Sequence, residues 1–220
     1  MTAEALPEFL GGLDRSWAGL SLTMPLKQAV LPLLTSCSDL ATSVAAANTV
    51  LLPARHGENT DVAGIIEALS EAGVTEVASA VVLGGGATAR SALAALKDLG
   101  CQEPTLVVRS APTETLAAAA RLGVTPQVVA WAPEVLAGCD LLISTLPSGA
   151  ADAFAPYVVD VPALLDVVYD PWPTPLARAC RGLVISGASM LLHQAAAQVR
   201  LMTGHEPPLR AMGAVLKHSD

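Results

Sequence analysis

The stretch "AVVLGGGATARSALAAL", residues 80–96, decides the fold of this chain. Its run Val81–Leu83 is short and apolar, which is typical of a buried strand. Three glycines follow, and an alanine-rich segment of helical period continues to Leu99. A strand, a tight glycine turn and a helix in that order predict the opening half of a βαβ unit.

The glycine turn also predicts a phosphate-binding loop. Gly84, Gly86 and Ala89 fit the pattern G-x-G-x-x-A. In such a loop a dinucleotide pyrophosphate meets the free N–H groups at the start of the helix, and glycines let the backbone approach it. A turn kept only for packing gives the same letters, but the flanking strand and helix favour cofactor binding. The predicted cofactor-binding residues of this loop are Gly84, Gly85, Gly86, Ala87 and Thr88.

Outside this stretch, apolar runs of strand length alternate with segments of helical period. The predicted strands lie in "WAGLSLT", "NTVLLPA", "ASAVVLG", "PTLVVRS", "PQVVAWA", "DLLISTL" and "ALLDVVY". The predicted helices lie near residues 25–35, 61–72, 87–99, 113–122 and 188–203. This alternation indicates an α/β protein with a parallel sheet.

We expect three parts in the chain. Residues 1–70 form a small N-terminal α/β lobe, and residues 71–187 form a Rossmann-type domain with a doubly wound parallel sheet. The C-terminal helices, residues 188–220, return to the first lobe.

Composition narrows the classes of partner. Hydrophobic residues make up 52% of the 220 residues, charged residues make up 15%, and the net charge is −8. Nucleic acid is not expected as a partner, because binding to phosphate backbones uses a concentrated Lys/Arg face. No apolar stretch is long enough to span a bilayer, and Glu4 and Glu8 stand where a secretory signal would be basic and then apolar. We therefore predict no membrane partner and a cytoplasmic location.

The cysteines and histidines give no sign of a metal site. Cys37, Cys101, Cys139 and Cys180 are far apart, without a C-x-x-C pair, so neither zinc nor a disulfide framework is predicted. His193 lies next to Gln194 on a predicted helix, but neighbouring helical residues point apart, so we expect a structural role for it. We expect packing roles for Trp131 and Trp172, which lie in loops beside the predicted cofactor cleft.

The end of the strand in "TLVVRSAPTE" indicates which dinucleotide binds. An acidic residue there accepts a hydrogen bond from the ribose of NAD, whereas an arginine suits the 2′-phosphate of NADP. Here Arg109 and Ser110 occupy that place. NADP is therefore the predicted cofactor, although an arginine at a strand end can also simply extend its charge into solvent.

Two segments before residue 70 supply a candidate reactive pair. "GLSLTMPLK" places Lys27 behind a proline turn, and "GENTDVAG" places Asp61 at the start of a helix. Reduction of a ketone builds negative charge on its oxygen, which an ammonium stabilises and protonates. A carboxylate within reach orients that amine and can hold a substrate hydroxyl. Alternatively, Lys27 is a solvated residue and Asp61 is only favoured by the helix dipole.

Taken together, these segments resemble the shikimate dehydrogenase family. The resemblance covers nearly the whole chain and rests on motifs that occur in the family's order: "GLSLTMPLK", "AAANTV", "GENTDVAG", "LGGGATAR", "ISTLPSG", "DVVYDPWPTPL" and "GASMLLHQAA". It implies NADP-dependent reduction of 3-dehydroshikimate to shikimate, in the shikimate pathway of aromatic amino acid biosynthesis. It further implies that Lys27 and Asp61 are the catalytic pair in the first lobe.

The resemblance also implies the remaining site residues. Thr23, Asn48, Tyr169 and Gln194, with Asp61, would face the substrate. Val167 and Gly187 would lie near the nicotinamide, and Arg109 and Ser110 near the adenine ribose.

The sequence departs from the family pattern in two places. The usual 2′-phosphate clamp is Asn-Arg-Thr with a second arginine, but here the residues are Val108, Arg109 and Ser110, with Thr113 in place of that arginine. NAD is therefore possible as well. The family also begins with a strand, a Ser-x-Ser loop, a helix and a second strand, which are not found ahead of "MTAEALPEFLGGLD". We accordingly expect an incomplete first lobe with two strands, loosely held, and weak binding of shikimate.

Three hypotheses remain open. The chain is an NADP-dependent shikimate dehydrogenase, a non-catalytic dinucleotide-binding relative, or a relative that acts on quinate or on a methylene-folate. The polar set Asn48, Asp61 and Gln194 favours a hydroxylated ring acid over a folate. The chain is expected to be a monomer or a homodimer, and the sequence does not decide between them.

Overall fold

The computed structural model describes residues 1–136 and 138–216 and contains two sheets. The second sheet has six strands, all parallel, in the order β10-β9-β8-β5-β6-β7. Its strands are β5 Ala80–Leu83, β6 Thr105–Val108, β7 Gln127–Ala130, β8 Leu141–Ser144, β9 Ala163–Asp166 and β10 Leu183–Ser186. Because β5 lies at the centre and the chain runs outward from it in both directions, this is the doubly wound arrangement that the sequence predicted.

The first sheet contains four short strands in the order β1-β3-β4-β2. They are β1 Gly19–Ser21, β2 Ser36–Cys37, β3 Thr49–Leu51 and β4 His56–Glu58. The strands β1 and β4 pair with β3 antiparallel, and β2 joins β4 in parallel. The expectation of two strands in this part of the chain was wrong, because β2 and β4 are too short and too polar to show an apolar alternation.

Helices surround the two sheets, and some of them carry predicted site residues. The helices are α1 Leu6–Gly11, α2 Leu26–Ala29, α3 Asp39–Val44, α4 Asp61–Glu71, α5 Ala87–Asp98, α6 Thr113–Leu122, α7 Pro175–Ala179, α8 Gly187–Thr203 and α9 Leu209–Leu216. The helix predicted near residues 25–35 is divided into α2 and a 3₁₀ turn over Leu31–Leu33. Pro32 accounts for the division, because it has no N–H to continue the α-helical ladder.

Helix α8 connects the two sheets. It begins at Gly187, immediately after β10, and packs along α4 beside the first sheet. The two helices approach closely at Gly64, where an added Cβ would lie 2.8 Å from the carbonyl oxygen of Met190. The predicted return of the C-terminal part of the chain to the first lobe is confirmed for this helix.

A buried arginine strengthens the contact between the sheets. Arg90 on α5 is 1% exposed, and it donates hydrogen bonds to the carbonyl oxygens of Val44 at 2.7 Å and Ala45 at 3.1 Å. These carbonyls end α3, where no further turn of helix can satisfy them. Arg90 therefore caps a helix of the first sheet from a helix of the second.

Candidate active site

Lys27 and Asp61 form a close ion pair beside the first sheet. Lys27 lies in the single turn α2, and Asp61 is the first residue of α4, where the helix dipole favours a carboxylate. The Nζ atom of Lys27 donates to Oδ2 of Asp61 at 2.7 Å, and the two side chains are 14% and 4% exposed. Because little water reaches the pair, each charge relies on the other in place of solvent.

Asn48 lies behind this pair and orients it. Its Nδ2 atom is 2.9 Å from Oδ1 of Asp61, 2.9 Å from Oγ1 of Thr60 and 3.1 Å from Oε1 of Gln194. Its Oδ1 atom accepts the backbone N–H of Thr60 at 2.8 Å. Asn48 is 1% exposed, so its amide is engaged within the protein, and its contact with a substrate stays a prediction.

Gln198 supports Asn48 in turn and was not identified from the sequence. Its Nε2 atom donates to the backbone oxygen of Asn48 at 3.1 Å and to Oγ1 of Thr49 at 3.0 Å. The Thr49 hydroxyl donates to Oδ1 of Asn48 at 3.0 Å. Gln194 and Gln198 are one turn apart on α8, and this i, i+4 spacing of two amides on one helix face is the signal that could have revealed it.

The pair borders a cavity of about 290 Å³ that both sheets line. That volume is close to the lower limit for small-molecule pockets, roughly 300 Å³. Its walls are formed by Ser21, Leu22, Thr23, Lys27, Asp61, Thr88, Val167, Tyr169, Gly187, Met190, Leu191 and Gln194. The structure therefore brings together most of the residues that were predicted to contact substrate. Ser21, which the sequence analysis did not select, adds another hydroxyl.

Gly187 and Val167 meet where the second sheet reaches the cavity. The strands β9 and β10 are parallel neighbours with Asp166 opposite Ser186, so the next residue of each strand arrives at the same edge. A Cβ atom on Gly187 would lie 2.0 Å from the carbonyl oxygen of Val167. Only glycine allows this approach, which places two residues predicted to contact nicotinamide in the cavity that Lys27 lines.

Asp166 anchors the loop that carries Val167 and Tyr169. Its carboxylate is 1% exposed and accepts hydrogen bonds from Oγ1 of Thr174 at 2.8 Å and from the N–H of Val168 at 3.3 Å. Burial raises the pKa of Asp166, and these hydrogen bonds offset part of the rise. The hydroxyl of Ser144 on the neighbouring strand lowers the pKa somewhat as well, although it lies outside normal hydrogen-bond geometry.

The glycine turn is shaped to admit a phosphate group. Gly84 has a φ of +107°, and its missing Cβ leaves room for the Thr145 hydroxyl, which would lie 2.5 Å away. Gly86 precedes α5 as its N-cap, and open space surrounds the position of its missing Cβ. The first turn of α5, which begins at Ala87, carries no acidic side chain. The free N–H groups of a twelve-residue helix thus face a site that suits the pyrophosphate of a dinucleotide.

A second cavity, of about 230 Å³, lies on the other side of the glycine turn. It is lined by Gly84, Gly85, Val108, Arg109, Ser110, Ala111, Pro112, Trp131 and Leu146. Of the described residues that line it, Arg109 alone is charged. The carboxyl ends of β5 and β6, where the adenosine half of a dinucleotide binds in this fold, both border this cavity. Its lining suits an adenosine that carries an additional phosphate.

Other polar groups have partners away from the two cavities. Ser36 contacts Nδ1 of His56, and Ser38 caps α3 by accepting the N–H of Ala41. His193 lies 3.0 Å from Glu71, which joins α8 to α4, in agreement with a structural role. A depression of about 540 Å³ near the N-terminus is larger than either cavity, but Glu8 is its only charged residue and none of the predicted site residues line it.

Residues 1–136 and 138–216 contain neither a metal-binding cluster nor a helix that could span a membrane. No group of three or more His, Cys, Asp or Glu side chains there is arranged to hold a metal ion. Within the same ranges, no helix combines the length and the apolar character needed to cross a membrane.

Comparison with known proteins agrees with this geometry. Residues 1–50 match the shikimate dehydrogenase substrate binding domain, and residues 187–217 match the shikimate 5'-dehydrogenase C-terminal domain. The shikimate dehydrogenase (NADP(+)) of Synechocystis sp. is 35% identical over 243 aligned residues, which cover 98% of this chain and 82% of that protein.

Two solved structures are similar over almost the whole chain. The shikimate 5-dehydrogenase of Thermus thermophilus, in complex with NADP(H) and shikimate, gives a TM-score of 0.86 at 32% identity and covers 100% of this chain and 86% of its own. The quinate dehydrogenase of Corynebacterium glutamicum, in complex with NAD, gives a TM-score of 0.84 at 30% identity and covers 98% of this chain and 83% of its own. The chain belongs to the shikimate dehydrogenase family.

Proposed function

We propose that this protein is an NADP-dependent shikimate dehydrogenase, which catalyses the reversible reduction of 3-dehydroshikimate to shikimate. The observation that carries the proposal is the cavity in which the Lys27–Asp61 pair and the Val167–Gly187 wall face each other. A proton donor and the predicted nicotinamide wall are both needed beside a ketone that is to be reduced. The names of the relatives support this activity.

The chain's own residues have distinct tasks in this reaction. Val167 and Gly187 would hold a nicotinamide, which would supply the hydride for the carbonyl carbon. Lys27 stabilises the negative charge that develops on the carbonyl oxygen and transfers a proton from Nζ to it, which gives the alcohol. Asp61 holds the Lys27 ammonium in place through its Oδ2 atom.

The substrate hydroxyl and carboxylate groups require several hydrogen-bonding partners. Thr23, Tyr169 and Gln194 line the cavity and supply them. Asn48 contributes through Asp61, because its amide contacts Oδ1 of that carboxylate. Asp61 can thus hold a substrate hydroxyl while it remains fixed on both of its oxygen atoms.

The residues that would hold the dinucleotide run from this cavity across the glycine turn. Thr88 lines the first cavity, Gly86 and Ala87 begin α5, and Gly84 and Gly85 line the second cavity. Arg109 and Ser110, which line the second cavity, would hold the adenine ribose and its 2′-phosphate. We propose NADP rather than NAD because the lining of the second cavity contains a guanidinium and no carboxylate.

A second candidate is a quinate dehydrogenase that uses NAD. The similarity to the quinate dehydrogenase of C. glutamicum supports it, and so does the presence of one arginine in the second cavity. Shikimate and quinate are both hydroxylated ring acids, so the same polar wall suits either. The two candidates differ in what the cavity accepts and not in the reaction.

An absorbance assay at the nicotinamide band separates these candidates. Shikimate or quinate is mixed with NADP or NAD, and the four rates are compared at equal concentrations. We expect the fastest reduction of cofactor with shikimate and NADP. Preference for quinate and NAD would support the second candidate, and dinucleotide binding without turnover in any mixture would show a non-catalytic relative.

The domain division and the cellular setting belong to the same proposal. We propose that residues 1–70 form the substrate lobe, that residues 71–187 form the cofactor domain, and that the C-terminal helices complete the first lobe. Four free thiols support a reducing compartment such as the cytoplasm. A monomer or a homodimer is expected, and sedimentation measurements distinguish the two.

A further inference from the structure

Arg109 makes a cation–π contact in the described part of the chain. It is exposed, and no ion pair or hydrogen bond involves its guanidinium among residues 1–136 and 138–216. Its Cζ atom lies 5.9 Å from the centre of the Trp131 ring, which is within the range of a cation–π contact. The conformation of this arginine therefore depends on Trp131.

The sheet itself brings the two side chains together. The strands β6 and β7 are parallel neighbours, and Val108 lies opposite Ala130 at their carboxyl ends. Arg109 and Trp131 are the next residue of each strand, so both leave the sheet at the same edge. Both also line the second cavity, beside the glycine turn.

Trp131 is held by a contact on its other side. Its ring meets the ring of Phe154 edge to face, with the ring centres 4.5 Å apart and the planes at 81°. Phe154 is fully buried, so it cannot move freely. Phe154 therefore fixes the Trp131 ring, and that ring in turn gives the Arg109 guanidinium a fixed surface to lie against.

We propose that Trp131 is a specificity-determining residue, which holds the Arg109 guanidinium at the second cavity and so favours a dinucleotide that carries a 2′-phosphate. This inference rests on the proposed use of NADP. A free arginine loses side-chain entropy when it grips a phosphate, whereas an arginine already placed against an aromatic ring loses less. A cation–π contact at an exposed site corresponds to a factor of roughly 2 to 5 in affinity.

Binding of two cofactor fragments tests this role without any dependence on catalysis. Calorimetry on the full chain compares adenosine 2′,5′-bisphosphate with 5′-AMP, which lacks the 2′-phosphate. We expect Arg109→Ala to weaken the bisphosphate by about 10- to 100-fold, as for a hydrogen bond to a charged group, and 5′-AMP much less. Trp131→Leu should weaken the bisphosphate by roughly 2- to 5-fold more than it weakens 5′-AMP.

The double variant isolates the contact between the two side chains. In the Arg109→Ala background, Trp131→Leu should no longer change the ratio of the two affinities, because the ring then has no guanidinium to hold. Trp17→Leu is the matched control, since Trp17 also meets a phenylalanine edge to face, Phe9, at 6.0 Å and 82°. Trp17 is outside the second cavity, so neither fragment should bind differently.

Two further variants guard against a change in folding. Arg109→Lys keeps the charge on an exposed residue but removes the flat guanidinium, and it should lose discrimination as Trp131→Leu does. Trp131→Phe retains a ring against Phe154 and should keep most of the discrimination.

Equal weakening of both fragments by Trp131→Leu, persisting without Arg109, would overturn the inference and leave Trp131 as a packing residue. Retained discrimination in Arg109→Lys would overturn it as well. If the coupling is found but shikimate is not oxidised, the inference stands and the proposed function fails.

Discussion

Both sheets pack against apolar clusters, but the first sheet also contains a network of buried polar groups. In the second sheet every residue of β5, β8 and β9 is buried, and their apolar side chains belong to large apolar clusters. In the first sheet the strands are two or three residues long, and Asn48 and Thr49 are held by buried amides and hydroxyls.

This difference indicates that the second sheet mainly stabilises the fold, whereas the first sheet mainly positions the side chains of the site. Apolar burial is non-directional and provides most of the free energy of folding, whereas hydrogen bonds fix atoms at defined distances and angles. The second sheet is thus the more robust scaffold, and the first sheet positions an ion pair accurately. Substitutions in the first sheet should change rates more than stability, and those in the second should do the opposite.

Replacement of the lysine gives the largest expected effect. We expect Lys27→Ala to lower kcat by ~10²–10⁴, because a positioned proton donor is lost while the dinucleotide site is untouched. Steady-state kinetics and NADP titration measure the two effects. Lys97→Ala, an exposed lysine on α5, is the control and should retain full activity. Unchanged turnover in Lys27→Ala would remove this residue from the mechanism.

A core substitution tests the other half of the comparison. We expect Leu142→Ala, at a fully buried position of β8, to lower the free energy of unfolding by about 2–5 kcal/mol. The kcat of the molecules that remain folded should change little, because Leu142 itself lines neither cavity. Urea unfolding and kinetics at low temperature measure both quantities. Leu116→Ala, at a leucine that is 40% exposed, should cost much less. Equal losses in the two variants would contradict the role assigned to the apolar clusters.

The amide chain behind Asp61 is tested by Gln198→Leu. This change removes two hydrogen bonds, each worth about 0.5–1.5 kcal/mol, to the backbone oxygen of Asn48 and to the Thr49 hydroxyl. The backbone oxygen of Asn48 keeps the N–H of Leu22 at 2.7 Å. We expect kcat to fall and its pH profile to shift while KM for the dinucleotide stays the same. A merely structural glutamine would leave the pH profile unchanged. Gln127→Leu, on the exposed face of β7, is the matched control.

The smallest expected effect is a change in how steeply the free energy of unfolding depends on pH. Because burial raises the pKa of Asp166, the folded chain holds this proton more tightly than the unfolded chain, whose aspartate pKa is about 3.9. The stability contributed by this group is therefore greatest at low pH and falls as the pH rises through about 3.9 towards the raised value. Asp166→Asn cannot titrate and should show a flatter pH dependence of unfolding above about pH 4. A slope identical to that of the parent chain would show that Asp166 does not contribute to it.

The second sheet could be predicted because most of its strands have a sequence that is itself typical of a buried strand. Five of its six strands are short apolar runs followed by turns, and all five were found from the sequence. The exception is β10, in which Ser186 ends the strand and Gly187 begins α8 without any intervening loop. A strand that passes directly into a helix has no turn residues to mark its boundary.

The first sheet and its polar network were harder to predict. The two residues of β2 and the segment His56–Glu58 become strands only through their neighbours. Lys27 and Asp61 were found because their residue types indicate a reaction. Gln198 was missed because its contacts are with distant parts of the chain, and 149 positions separate it from Thr49. Trp131 was expected to pack, and its ring does pack against Phe154.

Helix α8 affects the order of folding during biosynthesis, because it supplies polar contacts to the first sheet from the far end of the chain. A chain emerging from the ribosome exposes residues 1–70 long before Gln194 and Gln198 exist to fill their place beside Asn48. The second sheet closes from nearly contiguous residues, so we expect it to become protected first, although domains usually mature from the N-terminus. Pulsed hydrogen exchange on refolding chains should show the amides of β5 protected before those of β3, and the reverse order would refute it. The part of the chain that contains Lys27 and Asp61 is therefore synthesised first but reaches its folded form last.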